Sequence, residues 1–186
     1  MKTFFKILGV FALVLVLLLG GLAAFIATRP AEFSVARSAT ITAPADRVFA
    51  RINDLRQWQE FSPWAELDPD AKVSFAGPPA GEGASFAWDG DANIGAGSMT
   101  IIESRPAELV RYRLDFVRPF AGTSESSLAL APSPDGGTTV TWTMSGDNNF
   151  IGKAISLVID CEEMIGPQFE QGLANLKRIV EQPAGS

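Results

Sequence analysis

Two side chains in this sequence are placed to do chemistry, Tyr112 and Glu162. Tyr112 is the only tyrosine, and it lies on an apolar alternation, where a buried hydroxyl needs a hydrogen-bond partner and can serve as the polar handle of a pocket. Glu162 falls on the helical stripe of Ile155, Ile159 and Phe169, where a carboxylate is costly unless paired or wetted. In that position it either orients a ligand or acts as a general acid or base with a raised pKa. The alternative is that the stripe rotates ahead of Pro167 and leaves Glu162 at a solvent-filled edge. Asp160 and Glu163 read as outer-face charges, and Cys161 as a small buried apolar residue.

The chain's 186 residues include no histidine. That excludes Ser-His-Asp and Cys-His nucleophile systems, HExxH zinc sites and most transition-metal constellations. Catalysis would have to rest on carboxylates, Tyr112, lysines or oriented water. A single cysteine allows no intrachain disulfide, so the fold depends on its core. The run Asp89-Gly-Asp91-Ala-Asn93 is similar to the start of a calcium loop, but Ile94 and Thr100 stand where an EF-hand requires glycine and glutamate. It is expected to be a hairpin turn. Gly81-Glu-Gly83 and Gly95-Ala-Gly97 lack the third glycine of a dinucleotide loop and read as turns or bulges. No metal or cofactor is expected. Bulk and inward phase mark Trp88, Tyr112, Trp142, Met144, Met164 and Phe169, with Glu162, as the ligand-binding candidates; each apolar one either lines a cavity or simply fills the core.

The elements that must position these residues follow from periodicity. Residues 33–41 alternate as a first strand, and Thr42-Ala-Pro44-Ala-Asp46 starts a helix with proline in its first turn. A second short helix is expected over residues 55–61, carrying Trp58. From Ala71 to Gly146, short strands are separated by turn signals at Gly77-Pro78-Pro79, Asp89-Gly90-Asp91, Arg105-Pro106, Pro119 and 132–137. In residues 109–116, Val110, Tyr112, Leu114 and Phe116 share one face, with Arg111, Arg113 and Asp115 on the other. Val140, Trp142 and Met144 repeat the pattern with threonines outward, as in an antiparallel sheet with one wet face. From about Lys153 to Glu181, a helical stripe of Ile155, Ile159, Phe169, Leu173, Leu176 and Val180 returns, and Gly166-Pro167 predicts a kink or a break.

Ahead of this domain, residues 7–28 carry no charge. They are long enough to cross a hydrocarbon core of roughly 30 Å as a helix. The organisation read from the sequence is a basic leader (1–6), a single transmembrane helix (7–28), a linker (29–32), a folded domain (33–182) and a disordered tail (183–186). A cleaved secretory signal is the competing reading, but the apolar run is longer than usual for one and lacks an Ala-x-Ala site. Lys2 and Lys6 face Arg29, Arg37 and Arg47 across the span, so the positive-inside count is nearly even. The signal-like layout favours a bacterial-type inner-membrane protein with its domain on the extracytoplasmic side. Of the 15 basic residues, Lys2 and Lys6 lie in the leader, leaving 13 against 21 acidic ones in the rest of the chain. That surplus argues against nucleic acid and against electrostatic docking on anionic lipid. The short linker holds the domain near the bilayer, which predicts that a cavity mouth faces it.

Three segments carry a family resemblance: Ala43-Pro-Ala-Asp-Arg-Val-Phe-Ala-Arg-Ile-Asn-Asp-Leu-Arg-Gln-Trp58, Phe61-Ser-Pro-Trp64, and Gly172-Leu-Ala-Asn-Leu-Lys177 with Glu181. Together they resemble the START-like (SRPBCC), helix-grip superfamily that includes polyketide cyclase/dehydrase-like proteins. The resemblance implies an α+β fold in which a curved antiparallel sheet wraps a long C-terminal helix and encloses an apolar cavity. It also implies a hydrophobic small molecule or lipid as partner. The family has no universal catalytic set to carry over. The expected function is therefore a membrane-anchored, non-catalytic carrier, sensor or accessory protein. The alternatives are a cyclase- or hydrolase-type enzyme using Tyr112 and Glu162, and a protein-interaction module for a membrane partner.

Overall fold

The computed structural model describes residues 2–147, 150–155, 157 and 161–182. Ile159, Asp160 and the expected tail at 183–186 lie outside the described residues, as does the side chain of Ile155. The chain forms two units, Met1–Glu32 with Asn148–Asp160, and Phe33–Asp147 with Cys161–Ser186.

In the first unit, helix α1 (Lys2–Ala27) is followed by a turn in which the Thr28 hydroxyl donates to Phe25 O at 2.7 Å. Its segment Gly9–Ala27 is long and apolar enough to cross a membrane, as an anchor or as a signal sequence. Helix α5 (Phe150–Ile155) lies beside α1, with Lys153 Nζ 3.4 Å from Ala27 O.

The second unit is a seven-stranded antiparallel sheet, curved around a C-terminal helix. Strands β1 (Glu32–Ile41), β2 (Lys72–Ala76), β3 (Ser85–Asp89), β4 (Ala96–Arg105), β5 (Leu109–Arg118), β6 (Gly122–Pro132) and β7 (Thr138–Asp147) stand in the order β1-β7-β6-β5-β4-β3-β2. From β2 to β7, chain-adjacent strands pair as hairpins, and each predicted turn signal lies at a turn. The run from Asp89 is indeed a turn: Gly95 N donates to Asp91 O, and Asn93 N to Asp91 Oδ1. Gly95 has φ 64°, and a Cβ there would lie 2.2 Å from Arg118 O, so only glycine fits. Phe33 packs on Gly146, and the Ser38 and Thr141 hydroxyls are 2.9 Å apart. These contacts put the start of β1 at the same end of the sheet as the β3–β4 and β5–β6 turns.

Between β1 and β2, helices α2 (Ala45–Ile52), α3 (Leu55–Phe61) and α4 (Pro63–Leu67) cover part of the core. Asp54 caps α3 by accepting from Arg56 N at 2.9 Å. Helix α6 (Cys161–Glu181) buries Phe169, Leu173, Leu176 and Val180. It is assigned as one helix through Gly166 and Pro167, so the expected break does not occur there. Pro167 is exposed, and the carbonyl it leaves without a partner belongs to the exposed Glu163, where water can serve it. At its far end α6 is tied to β1 and the loop after it: Lys177 Nζ donates to Thr40 O at 2.8 Å, and the Glu181 carboxylate accepts from Thr42 N at 2.7 Å.

Candidate functional site

Cross-strand pairs place inward side chains in rows across the concave face of the sheet, because paired residues point to the same side. The innermost row is Val110, Leu128 and Trp142, all 1 % exposed or less. Next come Ile101, Tyr112, Ser126 and Met144, still buried. The third row runs Phe86, Met99, Leu114, Ser124 and Gly146, with Leu114 half-buried. The last is Trp88, Gly97 and Phe116, its two aromatics half-buried. Burial thus falls steadily toward the end of the sheet where β1 begins. The glycines at that end are covered by aromatic rings, Gly146 by Phe33 and Gly97 by Trp88. Gly97 admits the Trp88 ring, since a Cβ at Gly97 would be 2.7 Å from it.

The inner half is filled by aromatic rings. Trp142 stacks on Phe169 of α6 with centroids 4.4 Å apart and planes 10° off parallel. Trp58 meets Phe61 and Tyr112 at 4.9 Å and Trp142 at 5.0 Å. The polar atoms there are served by the protein itself. Trp142 Nε1 donates to Ser126 Oγ at 2.9 Å, and Ser126 Oγ donates to Thr143 O at 3.1 Å. The Tyr112 hydroxyl donates to Ile52 O at 2.6 Å, and full burial pushes its pKa well above the usual value.

Of the residues singled out from sequence, Tyr112, Trp142 and Phe169 therefore lie in the packed interior. Met144 is at its margin, 8 % exposed. Trp88 lies at the open end, its Nε1 donating to Ile94 O at 3.1 Å and its ring 5.9 Å from Phe116. Met164 departs from its expected inward position. It is 54 % exposed on the first turn of α6. Cys161 is half-buried rather than buried.

Glu162 keeps the phase of the apolar stripe, but the first turn of α6 is where that stripe meets solvent. Its carboxylate is half-exposed and lies 2.5 Å from Arg37 Nη1, while Arg37 Nε reaches Glu170 at 2.7 Å. Arg37 crosses the helix over Gly166, where a Cβ would lie 2.2 Å from Nη2. Hydrogen bonds to Glu162 first, then Glu170, raise the guanidinium's pKa. A carboxylate in the first turn also complements the helix dipole. Tyr112 and Glu162 are thus bonded to different groups, one to the end of α2 and the other to β1, and do not converge.

Arg37 is the residue that sequence reasoning missed. Its signal was available: it occupies an inward position of β1, between Val35 and Ala39, as Glu162 does on α6. Two charges on apolar phases answer each other. A separate surface cleft of about 190 Å³ beside the β2–β3 turn is lined by Leu55, Arg56 and residues 75–79, 84 and 85, none of them predicted site residues. Among the described residues, no group of three or more His, Cys, Asp or Glu side chains is arranged to hold a metal ion.

The family model described as polyketide cyclase / dehydrase and lipid transport matches residues 32–181. The chain belongs to this family. No curated protein matches it. The fold of its members recurs in solved structures. Protein CV1439 from Chromobacterium violaceum is 20 % identical, with 82 % of this chain and 99 % of that one covered at a TM-score of 0.56. Protein MLL2253 from Mesorhizobium loti is 16 % identical, covering 81 % and 98 % at 0.59. The Zhui aromatase/cyclase from Streptomyces sp. R1128 is also 16 % identical, covering 83 % and 99 % at 0.57. At these identities the likeness is one of fold.

Proposed function

We propose that this family member is a membrane-anchored, non-catalytic binding protein for a hydrophobic small molecule or lipid, which it holds at the open end of the grip. The observation that carries this reading is the burial gradient across the concave face, from a closed aromatic interior to the half-buried Leu114, Trp88 and Phe116. An apolar surface with few polar groups, here Ser124 of the third row, suits a greasy ligand. The family description and the aromatase/cyclase neighbour support the same ligand class. The non-catalytic part rests on Tyr112 and Glu162. Each is committed to a protein partner, and the tyrosine is held in its neutral form. The helix at Gly9–Ala27 is the anchor, and the signal-like layout of short basic leader, apolar run and folded domain supports an extracytoplasmic domain on a bacterial-type inner membrane.

The test is to extract the full-length chain from membranes in mild detergent and identify by native mass spectrometry what remains bound. A stoichiometric apolar molecule is expected. Leu114→Trp, which adds bulk in the third row, should displace it while leaving the thermal transition in place. A wild-type chain that is consistently empty refutes the proposal.

A further inference from the structure

Outside α1, five large apolar side chains are exposed among the described residues: Leu67, Val73, Val117, Phe120 and Met164. They gather toward one end of the domain. Val117 and Phe120, 65 % and 63 % exposed, flank the β5–β6 turn. Met164 is on the first turn of α6. Leu67 adjoins Asp68, which accepts from Asp91 N of the β3–β4 turn. Val73 pairs with Trp88 in the outermost row. The β4–β5 and β6–β7 turns at the opposite end carry none of them.

A turn normally presents polar residues to water, and Val117-Arg-Pro-Phe120 does the reverse. Its one charge is neutralised along the surface, where the half-exposed Arg118 pairs with Asp89 and donates to Gly90 O at 3.2 Å. Beside that neutralised pair, the turn exposes a valine and a phenylalanine with no apolar cover. The chain itself indicates what covers them. Five peptide steps from Ala27 to Glu32 span at most about 18 Å, and β1 starts at the end of the sheet that carries this turn. The interfacial layer of a bilayer extends roughly 5–8 Å beyond its hydrocarbon core, so an anchored domain has this turn within reach of it.

We infer that the β5–β6 turn inserts Val117 and Phe120 into the bilayer interface and seats the open end of the grip on the membrane. The inference rests on the anchor reading above. Attraction to anionic lipid has no part in it. Arg118 and Arg37 at this end are paired with Asp89 and Glu162, and Asp91 and Glu163 add negative charge, so the contact is apolar and insensitive to salt. It also gives a hydrophobic ligand a route between lipid and the half-buried outer rows without crossing water.

The experiment uses the full-length chain in phosphatidylcholine vesicles, with Cys161→Ser and a fluorescent thiol label on Phe120→Cys, or independently on Val117→Cys. Asp135→Cys in the β6–β7 turn is the reference. Flotation with the vesicles reports the anchor. At positions 117 and 120, emission should shift to the blue and be quenched by spin-labelled lipid several-fold more strongly than at 135, at low and high salt alike. A chain that floats while all three labels report water overturns the insertion and leaves the anchor standing. A chain that does not float overturns both. A blue shift that lipid quenchers do not touch, and that grows with protein density, assigns the turn to a protein contact and overturns the inference as well.

Discussion

Replacing Tyr112 with phenylalanine removes one oxygen and separates two roles for this residue. Ile52 is the last residue of α2, so its carbonyl lies past the reach of the helix's own N–H groups. The Tyr112 hydroxyl supplies the missing donor at 2.6 Å, from a side chain that is 0 % exposed, to a residue that is 0 % exposed. In Tyr112→Phe the ring still packs against Trp58, but the carbonyl loses its partner in a dry environment, a cost of about 1–3 kcal/mol. For a domain of this size, 1 kcal/mol moves the melting temperature by roughly 2–4 °C, so the expected fall is about 2–12 °C. Urea and thermal unfolding of the two proteins measure it, and native mass spectrometry of the same samples compares bound ligand. A structural tie predicts lower stability with ligand occupancy retained. Unchanged stability with lost ligand would show that the hydroxyl faces the ligand, and would refute the reasoning.

Gly172→Ala and Gly166→Ala should differ although both lie on the inner side of α6. A Cβ at 172 would sit 2.6 Å from Trp142 Cζ3 and 3.2 Å from Pro63 Cδ, and Trp142 is clamped between Phe169 and Trp58. Overpacking of about 1–3 kcal/mol then outweighs the helix-propensity gain of about 1 kcal/mol, and urea titration should show a net loss. At 166 the nearest atoms are the end of the Arg37 side chain, which can swing away. Half-exposed ion pairs worth about 0–1 kcal/mol are lost, so stability should stay level or rise slightly. The Glu181 pKa is lowered, chiefly by the Thr42 backbone N–H and then by Lys177. Its contribution is therefore present above the unfolded carboxylate value of about 4.3 and is lost as pH falls through the folded one. Glu181→Gln should narrow the gap between melting temperatures at pH 7 and pH 3, and an unchanged gap would remove the tie between the end of α6 and Thr42.

The first strand, the strands around residues 109–116 and 140–144, the turns and the helices α2 and α3 were legible because one face of each strand and helix is buried, whereas the one-turn α4 was not anticipated. The α3 span matches residue for residue, since Asp54 caps it and Leu55, Trp58 and Phe61 mark its buried side. Of the kink or break that Gly166-Pro167 predicts, the break does not occur, because the penalty for proline in a helix depends on where the freed carbonyl points. Here it belongs to an exposed residue. Phase also placed Glu162 correctly on the stripe of α6 but could not say where along the helix the covering sheet ends. The same limit applies to Met164. Whether an inward residue lines open space or fills the core is set by the depth of its row, which alternation does not encode. Tyr112 and Phe116 share a phase, yet one is fully buried and the other is not.

That depth also decides how the chemistry-bearing residues bear on function. To reach the Tyr112 hydroxyl, a ligand would have to displace Trp58, break the stack of Trp142 on Phe169 and leave Ile52 O without a donor. On the proposed reading the interior stabilises the grip and the ligand takes the outer rows, where Trp88, Leu114 and Phe116 are already half in solvent. These rows lie at the end of the sheet where β1 begins, which also bears Val117 and Phe120. On the proposed reading, anchor, turn and ligand surface act at one boundary. The half-buried aromatics then need no further protein to cover them, because the bilayer or the ligand does so.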